Sequence, residues 1–217
     1  MSGAFAPWLP TLAVLALVAL VAALLPGRLM REAMGGAWTR ADGLRVAGVT
    51  FGVGLLILVG LRAVTAPPLG WPLACALAAA GVLLTVVAIF DAKALVVADL
   101  HIVGLLVLAL AGPLAHAWPA ALAGAVVGGG LLWGVRWAFQ RVRGVEGLGL
   151  GDVKLMIALG ALVGPERVLW IIVAGCVLGL AWALLRRGSG EGPVTVPLAA
   201  TSAPPALAVL LLGVLAP

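Results

Sequence analysis

Two aspartates stand out in a chain that is otherwise mostly apolar. Asp152 follows Gly147-Leu148-Gly149-Leu150-Gly151 and opens the apolar stretch Val153 to Val163. Asp91 closes the apolar run Trp71 to Phe90, 61 residues earlier (152 − 91 = 61). Two carboxylates held close together do not both ionise easily, so one pKa rises and the other falls. Such a pair can hydrolyse an acyl bond: the protonated acid polarises a carbonyl and the ionised one takes a proton from water. The pair titrates as a unit, and residue type does not say which member is the acid. Taken singly, each aspartate also reads as an ordinary helix-end residue, with Asp152 capping the helix it opens. Nucleophilic alternatives are poor. Cys75 and Cys176 lie inside apolar runs as small core residues, and His101 and His116 fall on opposite sides of the expected membrane.

The elements that must position this pair are membrane helices. Hydrophobic residues make up 64% of the 217 and charged residues 10%, against about 25% charged in soluble domains; the mean hydropathy is +1.25. About 20 apolar residues span a bilayer as a helix, and the chain holds eight such runs or near-runs. They are Trp8 to Leu25, Val46 to Leu61, Trp71 to Phe90, Ala94 to Leu114, Trp118 to Ala138, Val153 to Val163, Val168 to Leu185 and Val196 to Leu215. The expected fold is therefore all-α, a polytopic membrane bundle of about eight helices. The sixth run is short and glycine-punctuated, thin or partly re-entrant; the eighth is interrupted by proline. Arg28 to Arg45 and Arg136 to Gly151 read as polar loops, and Thr65 to Gly70 as a turn. Asp99 should cap the fourth helix. Gly128-Gly129-Gly130 should let a neighbouring helix pack closely.

Charge sets the orientation. With eight spans and the N-terminus outside, Arg28, Arg31, Arg40, Arg45, Lys93, Arg136, Arg141, Arg143, Lys154, Arg186 and Arg187 face inward and only Arg62 and Arg167 face out, 11 of the 13 basic residues. The positive-inside rule then puts both aspartates at the cytoplasmic face. The net charge of +5 is spread among loops, unlike a nucleic-acid footprint. No Cys pair has metal-ligand spacing, so neither a metal nor another cofactor is expected.

Glu146-Gly147-Leu148-Gly149-Leu150-Gly151-Asp152-Val153-Lys154-Leu155-Met156, with Gly160 and Gly164 beyond it, resembles the GxGD segment of the prepilin peptidases, the type IV leader peptidase family. Phe90-Asp91-Ala92-Lys93 resembles the family's first catalytic segment, with Asp99 where a second polar residue is expected. Ala98 stands where the family usually has proline, and Val96-Val97 replaces a more polar stretch. The resemblance covers roughly Val46 to Leu185. It implies two parts: residues 1–45, a transmembrane helix and short cytoplasmic loop, and residues 46–217, the membrane-embedded peptidase domain. Longer members carry a four-cysteine cytoplasmic domain after the first helix, associated with N-methylation; here Gly27 to Arg45 holds no cysteine.

By this resemblance Asp91 and Asp152 are the catalytic pair. Gly149 and Gly151 admit the substrate backbone, since a missing Cβ clears the path. Asp99 and Lys154 are substrate-side candidates, although the inward charge bias alone accounts for Lys154. The implied enzyme is an aspartic endopeptidase of the inner membrane that cleaves basic leaders from prepilin-like precursors at the cytoplasmic face, without N-methyl transfer. A catalytically inactive relative serving as a membrane subunit of a pilus or type II secretion assembly is the alternative. A transporter is a third reading, but it would want its acids near mid-membrane and similar halves.

Overall fold

The computed structural model describes residues 8–64, 70–112, 114, 117–187 and 195–215. The expected turn at Thr65 to Leu69, Pro113, His116 and the 188–194 segment lie outside them. Among the described residues the secondary structure is helical: α1 (Trp8–Leu24), α2 (Gly27–Ala33), α3 (Arg40–Val64), α4 (Trp71–Ala94), α5 (Asp99–Ala111), α6 (Trp118–Arg143), α7 (Leu150–Val163), α8 (Pro165–Arg187) and α9 (Leu198–Leu215). Five of these, α3, α4, α6, α8 and α9, are long and apolar enough to cross a bilayer. The chain is a helical membrane protein. Trp118 and Trp137, both exposed on α6, are 19 residues apart, about 28 Å of helix; that is close to the hydrocarbon thickness at whose borders tryptophan collects.

The chain divides into two compact units, Met1–Val86 and Val87–Pro217. In the first, α1, α3 and the start of α4 meet at Gly54, where a Cβ would fall 2.7 Å from Val82 Cγ2 and 3.7 Å from Leu15 Cδ2. The loop expected at Arg28 to Arg45 is shorter than its charges suggest. Gly27–Ala33 is helical, and α3 begins at Arg40 because Thr39-Arg40-Ala41-Asp42 forms a capping box. Thr39 donates its N–H (3.0 Å) and hydroxyl (2.6 Å) to Asp42 Oδ2, and the Asp42 N–H returns to Thr39 Oγ1 at 3.2 Å.

The second unit is arranged around α7, which packs on α5, α6, α8 and α9. Fourteen residues make about 21 Å of helix, less than the roughly 30 Å of a bilayer core. From Leu155 onward its side chains are nonetheless apolar on all sides, because neighbouring helices bury Leu155, Met156 and every residue from Ala158 to Val163. The close approach expected of the fifth run's glycines is made toward α7. A Cβ at Gly128 would strike the Met156 carbonyl, one at Gly129 the Ile157 side chain, and one at Gly124 the Gly160 carbonyl, whereas Gly130 faces open space. Gly164, at φ +87, ends α7 with its N–H on the Gly160 carbonyl at 2.9 Å, and Pro165 starts α8, the usual glycine-out, proline-in join.

Two further boundaries depart from the expected ones. The fifth helix continues past Ala138 to Arg143, so Arg136 belongs to a helix and is buried. It stops at Gly144 in the left-handed region, φ +69, with its N–H on the Gln140 carbonyl. The fourth run begins as a helix only at Asp99, because α4 is terminated by Leu95, whose φ is +54. A left-handed leucine costs about 1–2 kcal/mol, and the chain adopts it one turn after Asp91, where the Leu95 N–H closes on the Asp91 carbonyl at 2.9 Å.

Candidate active site

Asp91 comes from the last turn of α4 and is buried, 4% exposed. Asp152 comes from the first turn of α7 and is half-buried. Both meet the start of α9. The Ala200 N–H donates to Asp91 Oδ2 at 2.8 Å, and the Ala199 N–H serves both carboxylates. The first amides of a helix have no intrahelical partner, and the helix dipole favours negative charge there. One helix start thus holds two acids that are 61 residues apart in sequence (152 − 91 = 61).

Asp152 stands just ahead of Val153, the first buried residue of α7, and outside the five candidate spans. Its pKa is raised from 3.8 to about 6, first by burial and then by the charge of Asp91; the Ala199 and Gly149 amides pull the other way. The second of these causes is the repulsion that two neighbouring carboxylates exert on each other.

The glycines before Asp152 have separate tasks. Gly144 takes the left-handed turn, and Gly147 lies against the Phe139 ring, where a Cβ would not fit. A Cβ at Gly149 would stand 3.3 Å from Asp152 Oδ2, in front of the carboxylate. A Cβ at Gly151 would instead meet Val97 Cβ at 3.1 Å, so this glycine lets the segment after α4 seat against the start of α7.

Neither Asp99 nor Asp152 is itself the N-cap residue of its helix. The N-cap of α5 is Ala98 and that of α7 is Gly149, neither with a side-chain cap bond. Asp99 and Asp152 lie inside the first turns, where an acid meets the helix dipole, and Asp152 also reaches back to the Gly149 N–H. Asp99 pairs with Lys154 at 2.8 Å, joining the starts of α5 and α7 through two largely exposed side chains. Two residues after Asp99, buried His101 meets the Phe90 ring edge-on, centroids 5.5 Å apart.

Two contributions escaped the sequence reading. The α9 amides carry no side-chain signature; the only cue was Pro197 ahead of an apolar run, a helix-start signal. Arg136, read as a loop charge, reaches from α6 to Glu146 at 2.7 Å and to the Leu148 carbonyl.

Residues 78–184 match the type IV leader peptidase family. Among curated proteins, the chain is similar to the prepilin leader peptidase/N-methyltransferase of Burkholderia pseudomallei, 43% identical over 79 residues, 35% of this chain and 26% of that relative. It is similar to the protein of the same name from Xanthomonas campestris, 42% over 78 residues, 34% and 27% of the two chains. A third, from Pectobacterium carotovorum, is 36% identical over 118 residues, 51% and 42%. The chain therefore spans about a quarter to two fifths of the length of these relatives. No solved structure matches it. Both aspartates and the glycine segment between them lie inside the residues that match the type IV leader peptidase family.

Proposed function

We propose that this chain is a membrane aspartic endopeptidase that removes the basic leader of type IV prepilin-like precursors at the cytoplasmic face of the inner membrane. The observation that carries the proposal is the meeting of Asp91 and Asp152 at the Ala199 amide. The working form holds one proton on the pair. The protonated carboxyl polarises the scissile carbonyl while the ionised one takes a proton from the attacking water. Collapse of the tetrahedral intermediate then returns a proton to the leaving amine. The space in front of Asp152 left by Gly149 lets a substrate backbone reach the acids, while Gly151 serves the same end by seating Val97. Asp99 and Lys154, exposed at the rim, are the charges a basic leader meets first.

Cleavage is proposed without methyl transfer, which the family resemblance ties to a four-cysteine domain. Incubating purified protein with a prepilin-like substrate tests both parts by mass spectrometry. Wild-type protein should shorten the substrate and leave the new terminus unmethylated, whereas Asp91→Asn and Asp152→Asn should leave the substrate intact. An intact substrate with wild-type protein would favour an inactive assembly subunit. A methyl group added by this chain alone would overturn the second part.

A further inference from the structure

Arg136 is a buried cation on a helix of a membrane protein, its side chain 10% exposed. Such a charge is costly unless it is paired and hydrogen-bonded. Its two partners both lie in the short link from α6 to α7. One is Glu146, whose own side chain is 65% exposed, at 2.7 Å. The other is the carbonyl of Leu148, which accepts from Nη1. An arginine kept only for the inward charge bias would stay in solvent, as the neighbouring Arg141 and Arg143 do.

The second contact has a consequence set by covalent geometry. The Leu148 carbonyl and the Gly149 N–H belong to one peptide unit, which is planar and holds C=O and N–H rigidly opposed. That Gly149 N–H is one of the amides serving Asp152. Gripping the carbonyl therefore fixes the direction of the amide at the other end of the same plane. We propose that Arg136 is a positioning residue for Asp152, acting through the Leu148–Gly149 peptide. Glu146 neutralises and steers the guanidinium from outside, while Phe139 under Gly147 and the left-handed Gly144 define the path of the link. Asp152 itself is held by α7, packed backbone to backbone on α6 through Gly124 and Gly160. Loosening the link should thus change the amide in front of the acid and leave the acid where it is.

This inference rests on the peptidase reading, so its test has one arm that needs no cleavage activity. Full-length protein in detergent is nicked with a glutamate-specific protease. In Arg136→Gln the release of Glu146 should speed nicking there by about fivefold or more, with nicking at Glu32, exposed on α2, as the unchanged reference. In the activity arm, Arg136→Gln should lower kcat about tenfold or more, the worth of one charge-assisted hydrogen bond, with KM within about twofold. Losing an amide that favours the ionised form should also move the alkaline limb of the pH profile upward. The other charges carried by the elements around Asp152, among them Asp91 and Lys93 on α4, the Asp99–Lys154 pair, Arg141 and Arg143 on α6, Glu146, and Glu166, Arg167 and Arg186 on α8, are all unchanged in this variant. Glu146→Gln keeps the grip on Leu148 and should stay within about threefold of wild type. Arg136→Lys, which reaches one partner only, should fall between, and it decides the same readouts if the glutamine variant does not insert. Unchanged nicking at Glu146, or a wild-type kcat and alkaline limb in Arg136→Gln, overturns the proposal. Faster nicking in a wild-type background that cleaves no substrate would keep the clamp and remove the peptidase reading instead.

Discussion

At the residue scale the candidate site consists of two carboxyls and the amides that share them. Asp91→Asn and Asp152→Asn keep shape but not acid–base function, and each should lower kcat/KM by about 10² to 10⁴, with membrane yield unchanged. Asp99→Asn loses only an exposed ion pair, generally worth under about 1 kcal/mol, and should stay within a few fold. Equal loss in that variant would mean that Asp99, not Asp91 or Asp152, belongs to the pair. The pH dependence follows from the raised Asp152 value. In the proposed mechanism the singly protonated pair is the working form, and its proton leaves as the pH rises through about 6. Activity should therefore fall on the alkaline side by about tenfold per unit, and fall again in acid when the second carboxyl protonates. A kcat/KM profile that is flat from about pH 5 to 9 would contradict the shared proton. Both acids were legible in the sequence because a charge at the end of an apolar run is conspicuous. Their company was not, since Ala199 and Ala200 act through backbone N–H groups that every residue but proline possesses.

At the element scale, α7 is a short helix enclosed by others, and glycine makes the enclosure close. A side chain at Gly160 would collide with the Gly124 backbone, so Gly160→Val should cost about 1–3 kcal/mol by overpacking, read as a lower melting temperature in detergent. Gly130→Ala, with nothing near its Cβ, should instead stabilise by about 0.5–1 kcal/mol as a helix-interior glycine is removed. Equal destabilisation by the two would show that α6 does not meet α7 along this face. The glycine run announced close packing, but its phase around the helix, which separates Gly128 from Gly130, came only with the neighbour. Helix ends were the least legible. Arg136 was read as a loop charge because its partners lie after the turn, and the end of α4 at a left-handed Leu95 has no glycine to mark it.

At the scale of the whole molecule, the eight apolar runs correspond, among the described residues, to five helices of spanning length and to α1, α5 and α7 with fewer described residues. Apolarity marks what avoids water, and it does not separate a helix facing lipid from one, like α7, buried by other helices. The proposed orientation puts Gly35 and Val142 in the cytoplasm and Pro165 outside. Single cysteines at these positions, in a background with Cys75 and Cys176 replaced by alanine, test it with a membrane-impermeant thiol reagent. Positions 35 and 142 should label only after permeabilisation and 165 before it. Labelling of 142 in intact cells would also move the aspartates to the wrong face for a cytoplasmic leader.

The amide that completes Asp91 comes from Ala200, 109 residues later in the chain. At roughly 5–20 residues per second, translation delivers it on the order of 5–20 s after the first acid. Throughout that interval Asp91 sits in the membrane without the donor that holds its carboxylate. A ribosome stalled before Leu198 should therefore carry a chain with both aspartates and no peptidase activity. On the proposed reading, cleavage waits for the arrival of α9, and a half-made copy should leave untouched the precursors being inserted beside it.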